Sequence, residues 1–253
     1  MNRLASPHEK KFFLSVVVPV YNEKEGLKKS LLFLCKKISR CVDRFEILIV
    51  DDGSTDGSGE MAEDLSRSEE YPIRVIHHTA NIGPGSGIYT GIREARGEWI
   101  IFIPADIAID LDQFDRYLEG SKRADIVVGL RSDRRDYSWV RKMNSLGYIW
   151  LIKILFRMPQ KQFNYVQMYK KEIFNRIKIE SKTVFVTAEI LIKARDLGYI
   201  IEEVEINYIP RETGQASCGK ISVIVKTLRD VISFWLRWRF FPSKTKASPQ
   251  QIS

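Results

Sequence analysis

Apolar residues in this chain fall into short runs separated by stretches of helical periodicity. Residues 12–20 are apolar and rich in β-branched side chains, too short for a comfortable helix, and predict a buried strand. From Asn22-Glu23 onward, Leu27, Leu31, Leu34 and Ile38 recur on one face and predict an amphipathic helix. A second buried strand is expected over 45–50, ending abruptly at Asp51-Asp52-Gly53-Ser54-Thr55-Asp56-Gly57. A helix over 58–68 and a strand over 73–76 follow, then a glycine-rich turn over 81–87 that leads into a helix through Ile88, Ile92 and Ala95. A strand over 99–103 stops at Pro104-Ala105-Asp106, and a helix over 111–122 and a strand over 125–129 complete the series. Such alternation predicts an α/β fold: a doubly wound, mostly parallel sheet with right-handed crossovers and helices on both faces.

Beyond Gly129 the rhythm changes. Residues 131–141 are highly charged, and 142–156 are apolar at helical spacing. Short elements are expected over 163–178, a helix over 187–197 and a strand over 204–209. From 221 to 238 a helix is predicted with Ile221, Val225, Leu228, Val231 or Ile232, Trp235 and Trp238 on its apolar side. Lys226, Arg229, Ser233 and Arg237 fall on the other side. No linker rich in Pro, Gly or Ser divides the chain. The reading is one domain with a polar arm (1–11), two halves (12–130 and 131–219), an amphipathic helix (220–241) and a tail (242–253).

Charge adds a partner class. The chain of 253 residues carries a formal net charge of +8, much of it between Arg131 and Arg157 and from Arg211 onward, beside Trp, Phe and Tyr. That pairing suits an anionic interface. Nucleic acid is disfavoured because no helix-turn-helix, zinc-finger or RNA-binding signature appears. The longest candidate for a membrane span, 146–156, is short of the roughly 20 apolar residues that hydrocarbon demands, and it contains Lys153. Residues 1–11 lack the apolar stretch of a signal peptide, and Cys35, Cys41 and Cys218 have no metal-like spacing, so reduced thiols in the cytoplasm are expected.

In open α/β sheets ligands bind beyond the carboxyl ends of the strands. Three such ends here finish in Pro19-Val20-Tyr21-Asn22-Glu23, Asp51-Asp52-Gly53-Ser54 and Pro104-Ala105-Asp106. Carboxylates so placed can accept from ribose hydroxyls or base N–H groups, or hold a hard divalent cation against phosphate oxygens. Each fragment alone has a plainer reading as a turn, a loop or a helix cap. Their succession on the ends of the first, second and fourth strands favours a nucleotide site. His77 and His78 read as a hydrogen-bonded or solvated pair.

The segments VVVPVYNEKEGL, EILIVDDGSTDGS, NIGPGSGIYTGIREARGEWIIFIPAD and EVEINYIPRETG resemble family-two glycosyltransferases, most nearly the polyprenyl-phosphate sugar synthases, between about Ser15 and Gly214. The resemblance implies a GT-A (Rossmann-like) fold and an inverting transfer of a sugar from a nucleoside diphosphate donor, with Mg²⁺ or Mn²⁺. It implies that Pro19, Tyr21, Glu23, Val50 and Asp52 line the nucleotide site, with Ala105 beside them. Asp106 would reach the metal and diphosphate, and Arg131 and Arg211 would lie beside donor or acceptor phosphates. Arg141 and Ser145 match positions near the acceptor phosphate, where the lysine expected soon after Arg211-Glu212-Thr213-Gly214 is displaced to Lys220. The usual Asp-x-Asp has become Pro104-Ala105-Asp106, which leaves one metal carboxylate; Asp110 is a distant substitute.

Three functions follow for testing. The first is a hexosyl transfer to a polyprenyl (dolichyl or undecaprenyl) phosphate, by an enzyme peripheral to the cytoplasmic face of a membrane. The second is a soluble transferase acting on a glycan or hydroxyl acceptor, with Glu189 as base. The third is a non-catalytic sugar-nucleotide-binding protein. A phosphate acceptor needs no base, because its oxygens are already anionic at neutral pH, and Glu189 then orients an arginine or only favours its helix dipole.

Overall fold

The computed structural model describes residues 12–68, 70–132, 139–209 and 221–240. The apolar run at the start forms β1 (Phe13–Val20), followed by α1 (Lys24–Cys41), β2 (Arg44–Asp51), α2 (Ser58–Arg67) and β3 (Ile73–His77). Then come α3 (Pro84–Glu94), β4 (Trp99–Phe102), a 3-10 turn (Leu111–Gln113), α4 (Asp115–Ser121) and β5 (Ile126–Arg131). The second half supplies α5 (Trp139–Phe156), β6 (Gln167–Lys170), a 3-10 turn (Lys171–Asn175), α6 (Val186–Asp196), β7 (Ile201–Ile206) and α7 (Ile221–Phe240).

One seven-stranded sheet in the order β3-β2-β1-β4-β6-β5-β7 joins both halves of the chain. β1 pairs in parallel with β2 and β4, β2 with β3, and β5 with β7. β6 runs antiparallel between β4 and β5. The sequence shows only undifferentiated short elements at β6, because four residues make too short a run to reveal a period. Since β6 reverses direction between them, β4 and β5 point the same way, and the carboxyl ends of six strands share one edge.

Helices cover both faces, as predicted. Alternate residues of β1 point to opposite sides: Leu14, Val16 and Val18 pack with Leu27, Leu31, Leu34 and Phe114, while Val17 packs with Ile92, Ile190 and Phe234. The first layer holds α1, α2 and α4; the second holds α3, α5, α6 and α7.

Three boundaries differ from the sequence reading in ways that matter for the site. α1 is kinked at its start, where Glu25 and Gly26 leave helical geometry, so Tyr21 to Gly26 is a shaped turn and not a helix terminus. α3 begins inside the predicted glycine turn, at Pro84, where the missing N–H costs nothing. β7 starts three residues earlier than expected and ends at Ile206, freeing Asn207 and Tyr208 from the sheet.

Candidate functional site

The chain leaves β1 toward β2 and β3 on one side and returns to β4 on the other, so the connections diverge between β1 and β4. A crevice at such a switch point is where ligands bind in open α/β sheets. Asp52 follows the tip of β2 and Asp106 the tip of β4, and both tips flank β1. Backbone bonds fix them there: Asp52 N–H donates to the Val20 carbonyl at 2.8 Å, and Ile103 N–H to the Val17 carbonyl at 3.0 Å. At ordinary strand spacing the two aspartates are separated by about 10 Å of sheet edge. They are next-nearest tips, with Tyr21 between them.

Asp51 and Asp52 are consecutive at a strand end, so their carboxylates leave on opposite faces. Asp51 faces α2. Its Oδ1 accepts from Ser54 N–H at 3.0 Å, and its Oδ2 lies 2.8 Å from His77 Nδ1. Burial pushes the Asp51 carboxyl up, but the hydrogen bonds from Ser54 and His77 outweigh it and hold the group below its ordinary value. His77 is raised, first by that bond to Asp51 and further by Glu63, 3.1 Å from Nε2.

Asp52 faces the other way, toward the glycine loop. Its Oδ1 accepts from His78 Nδ1 at 2.7 Å, Ile82 N–H at 3.1 Å and Ser86 Oγ at 3.3 Å. Its Oδ2 accepts from Gly83 N–H at 2.8 Å. Facing a carboxylate, His78 Nδ1 carries the proton, which leaves Nε2 to accept from Thr90 Oγ1 at 2.8 Å. Of the two readings the sequence left for the histidines, solvated or hydrogen-bonded, both are hydrogen-bonded, His77 to Asp51 and His78 to Asp52. Asp52 is therefore the buried anchor of the loop over 81–86.

That loop is closely confined. Gly53 has φ +72°, and a Cβ there would lie 2.6 Å from the Ala80 carbonyl carbon. On the other side a Cβ on Gly85 would lie 2.5 Å from the Lys182 carbonyl carbon, and Gly85 N–H donates to the Lys182 carbonyl at 3.3 Å. The glycines in this stretch are there because backbone meets backbone on both sides.

The Asp-Gly-Ser-Thr-Asp-Gly-Ser run works as a clasp for the turn after β1. Asn22 N–H donates to Ser54 Oγ at 3.0 Å, Glu23 N–H to Ser58 Oγ at 2.9 Å and Lys24 N–H to Asp56 Oδ2 at 3.0 Å. Thr55 N–H returns a bond to Asn22 Oδ1 at 2.8 Å. These contacts hold Asn22 at φ +52°, an uncommon backbone for a residue other than glycine. Tyr21 stands exposed beside it, Glu23 is half-buried, and Pro19 is half-buried under α3. Val50 is wholly buried in the second core layer, so its side chain faces the core and not the crevice.

Past β4, Ala105 is buried and Asp106 half-buried. Ile107 follows at φ +42°, a costly conformation for a β-branched residue, held by Ile107 N–H donating to the Pro104 carbonyl at 2.9 Å. Asp110 Oδ1 caps the next 3-10 turn by accepting from Asp112 N–H at 3.1 Å. Among the described residues no group of three His, Cys, Asp or Glu side chains is arranged to hold a metal. One carboxylate suffices where substrate phosphates complete the shell, as a hard divalent cation takes phosphate oxygens and water readily. Asp106 fits that description.

Arg131 ends β5 on the same edge. It is buried, with its guanidinium 3.2 Å from the centre of the Tyr208 ring, and Gln162 bonds both its N–H and its carbonyl at 3.1 Å. The turn after Asp106 is tied to this region, with Asp110 N–H donating to the Asn207 carbonyl at 3.0 Å and Tyr165 Oη to the Ala108 carbonyl at 3.1 Å. Tyr208 and Gln162 had no signal in the sequence, since their role depends on β7 ending at Ile206. Arg141 and Ser145 lie four residues apart in α5. Arg211 and Lys220 lie outside the described residues.

Glu189 is not placed to act as a base. It is fully buried and accepts from Glu180 N–H at 2.9 Å, Ser181 N–H at 2.7 Å and Lys193 Nζ at 2.6 Å. A carboxylate so occupied pins the segment before α6 and has no proton to take from a substrate. The sequence placed it correctly in the first turn of a helix, but whether that turn faces solvent or core is a tertiary matter.

The tryptophans of α7 are likewise turned inward. Trp235 Nε1 donates to the Leu155 carbonyl at 3.1 Å and Trp238 Nε1 to Asp196 at 2.6 Å. The exposed apolar residues of α7 are instead Ile224, Val225, Leu228, Ile232, Leu236 and Phe240. Most of them follow an i+4 stripe. α5 exposes a second stripe through Trp139, Met143, Leu146, Trp150 and Ile154. No helix among the described residues is long and apolar enough to cross a membrane.

Comparison with known proteins agrees with this fold. The profile described as glycosyl transferase family 2 matches residues 15–181. The chain is 28% identical over 221 residues to the undecaprenyl-phosphate 4-deoxy-4-formamido-L-arabinose transferase of Proteus mirabilis, covering 87% of this chain and 67% of that protein. A protein of the same name from Edwardsiella ictaluri is 26% identical, with 84% and 65% covered. The chain thus spans about two thirds of the length of the curated relatives it matches. Among solved structures, glucosyl-3-phosphoglycerate synthase from Mycobacterium tuberculosis, in complex with Mn²⁺, uridine diphosphate and glucosyl-3-phosphoglycerate, superposes with a TM-score of 0.68. It is 18% identical, with 91% of this chain and 81% of that one covered. TarS of S. aureus in complex with UDP-GlcNAc gives 0.57 at 17% identity, with 90% and 73% covered.

Proposed function

Because this chain belongs to glycosyl transferase family 2 and is a glycosyltransferase, we propose that it moves a sugar from a nucleoside diphosphate donor to a polyprenyl phosphate, with inversion, on the cytoplasmic face of a membrane. The observation that carries this reading is the shared edge that holds Asp52 with its glycine loop, Asp106 and Arg131. Undecaprenyl phosphate stands in the names of the relatives, which supports an acceptor of that class.

The nucleoside would lie against Tyr21 and the turn after β1, beside the glycine loop that the buried Asp52 anchors. Asp106 would hold a Mg²⁺ or Mn²⁺ ion; such an ion, when bound, neutralises charge on the departing diphosphate. Arg131, kept flat by Tyr208 and held at the backbone by Gln162, would meet phosphate with its fork of donors. Arg141, Ser145, Arg211 and Lys220 would complete the acceptor side. An acceptor phosphate oxygen attacks the anomeric carbon as the bond to the diphosphate breaks, and no proton need be removed. The engagement of Glu189 with Lys193 and two backbone N–H groups favours this acceptor over a hydroxyl. The apolar stripes of α5 and α7, flanked by Lys142, Arg229, Arg237 and Arg239, suit a peripheral position on an anionic bilayer.

The test is transfer of label from a panel of nucleoside diphosphate sugars into undecaprenyl phosphate presented in vesicles, with Mn²⁺ or Mg²⁺. The product should form with wild-type protein and fall by about 100-fold or more with Asp106→Ala, as removal of a charge-stabilising group usually costs. Transfer to soluble hydroxyl acceptors but not to the lipid phosphate would overturn the acceptor class.

A further inference from the structure

The glycine loop is gripped on one side by Asp52. Its other side rests on the segment before α6, through the Gly85 N–H bond to the Lys182 carbonyl and the backbone contact that leaves no room for a Cβ on Gly85. Two buried or half-buried carboxylates gather that segment. Glu189 accepts from Glu180 and Ser181 N–H from within α6. The second hold comes from α7: Asp230 Oδ2 accepts from Ser181 Oγ at 3.0 Å and from Thr183 Oγ1 at 2.9 Å. The two hydroxyls bracket Lys182, whose carbonyl meets the loop.

We propose that Asp230 is a positioning residue for the donor loop, acting through Ser181, Thr183 and the Lys182 carbonyl. The inference rests on the reading of the loop over 81–86 as part of the nucleotide site. Its basis is directional. One carboxylate oxygen gathers the hydroxyls on either side of Lys182, so the carbonyl between them is presented to Gly85 at a set height. Without that oxygen the two hydroxyls have each other, 3.3 Å apart, and the segment is held from α6, by Glu189 and by Lys193, which donates to the Lys178 carbonyl and to Glu180. Asp230 belongs to a helix whose Val231 and Phe234 are sunk in the second core layer and whose Leu228, Ile232 and Leu236 are exposed. The helix that offers an apolar stripe to its surroundings is thereby the helix that supports the donor loop.

The experiment compares wild type with Asp230→Ala, Asp230→Asn, the double variant Ser181→Ala/Thr183→Val and, as a control on the docking of α7, Trp238→Phe. Two readouts are taken on the full chain: amide hydrogen exchange of residues 81–86 by mass spectrometry, and binding of uridine, guanosine, cytidine and thymidine diphosphates with Mn²⁺. Asp230→Ala and the double variant should speed exchange in 81–86 and weaken the bound diphosphate by about 10-fold, the scale of losing a charge-assisted hydrogen bond. Asp230→Asn, which keeps an acceptor oxygen, should restore most of the affinity. Trp238→Phe should lower the unfolding midpoint without moving either readout. Faster exchange in a protein that binds none of the four diphosphates would sink the donor-site reading and leave the mechanical link standing. Tight diphosphate binding with unchanged exchange and affinity in Asp230→Ala would overturn the positioning role.

Discussion

Asp51 and His77 stand opposite one another on adjacent parallel strands, with Oδ2 and Nδ1 2.8 Å apart, and this pair belongs to the scaffold and not to the crevice. It also makes stability depend on pH. The imidazole is raised above its ordinary 6.5, so its contribution is complete below that value and is lost as pH climbs through the raised one. The carboxyl is lowered from 3.8, so its contribution is present above 3.8 and is lost as pH falls through the lowered value. The unfolding midpoint should therefore decline from pH 6.5 upward in wild type. His77→Asn should flatten that slope, and an unchanged slope would show that other groups govern it.

Gly53→Ala should be costly twice over. A side chain at φ +72° costs about 1–2 kcal/mol, and the new methyl must displace the Ala80 backbone. A loss of at least about 2 kcal/mol in denaturant unfolding is expected, with weakened diphosphate binding, because Ala80 leads into the loop that Asp52 anchors.

Glu189→Gln should behave as a lesion of the fold. Breaking a buried pair with Lys193 while turning an amide toward two backbone donors should cost roughly 3 kcal/mol, or a midpoint lower by about 5–10 °C. A variant that melts like wild type but turns over far more slowly would restore Glu189 as a base.

Trp150→Ser combined with Ile154→Ser should leave stability within about 0.5 kcal/mol, as the replaced side chains are 62% and 68% exposed. Co-sedimentation with phosphatidylglycerol vesicles should weaken by at least about 10-fold, given the usual value of burying apolar area. Equal sedimentation would mean that this stripe faces something other than lipid.

The sequence by itself determined the layers and the edge. Runs such as 45–50 bounded by turn residues specify buried strands, and the placing of Glu23, Asp52 and Asp106 after the first, second and fourth strands needs only the rule that parallel strands share a direction. What those side chains bond to needed tertiary structure. Asp51 and Asp52 look alike in sequence, yet the alternation of a strand end sends one to His77 and the other to His78 and the glycine loop. The same holds for Glu189 and for Trp235 and Trp238, whose helices were foreseen but whose orientation was not. Periodicity gives a helix two usable faces when apolar residues are plentiful, as in α7, and only the packing of Val231 and Phe234 against Phe156 and Phe185 decides which face turns inward. The link from Asp230 to Gly85 lay wholly beyond sequence reading, because it joins residues nearly 150 positions apart through a carbonyl whose position is set by chain geometry and not by residue type.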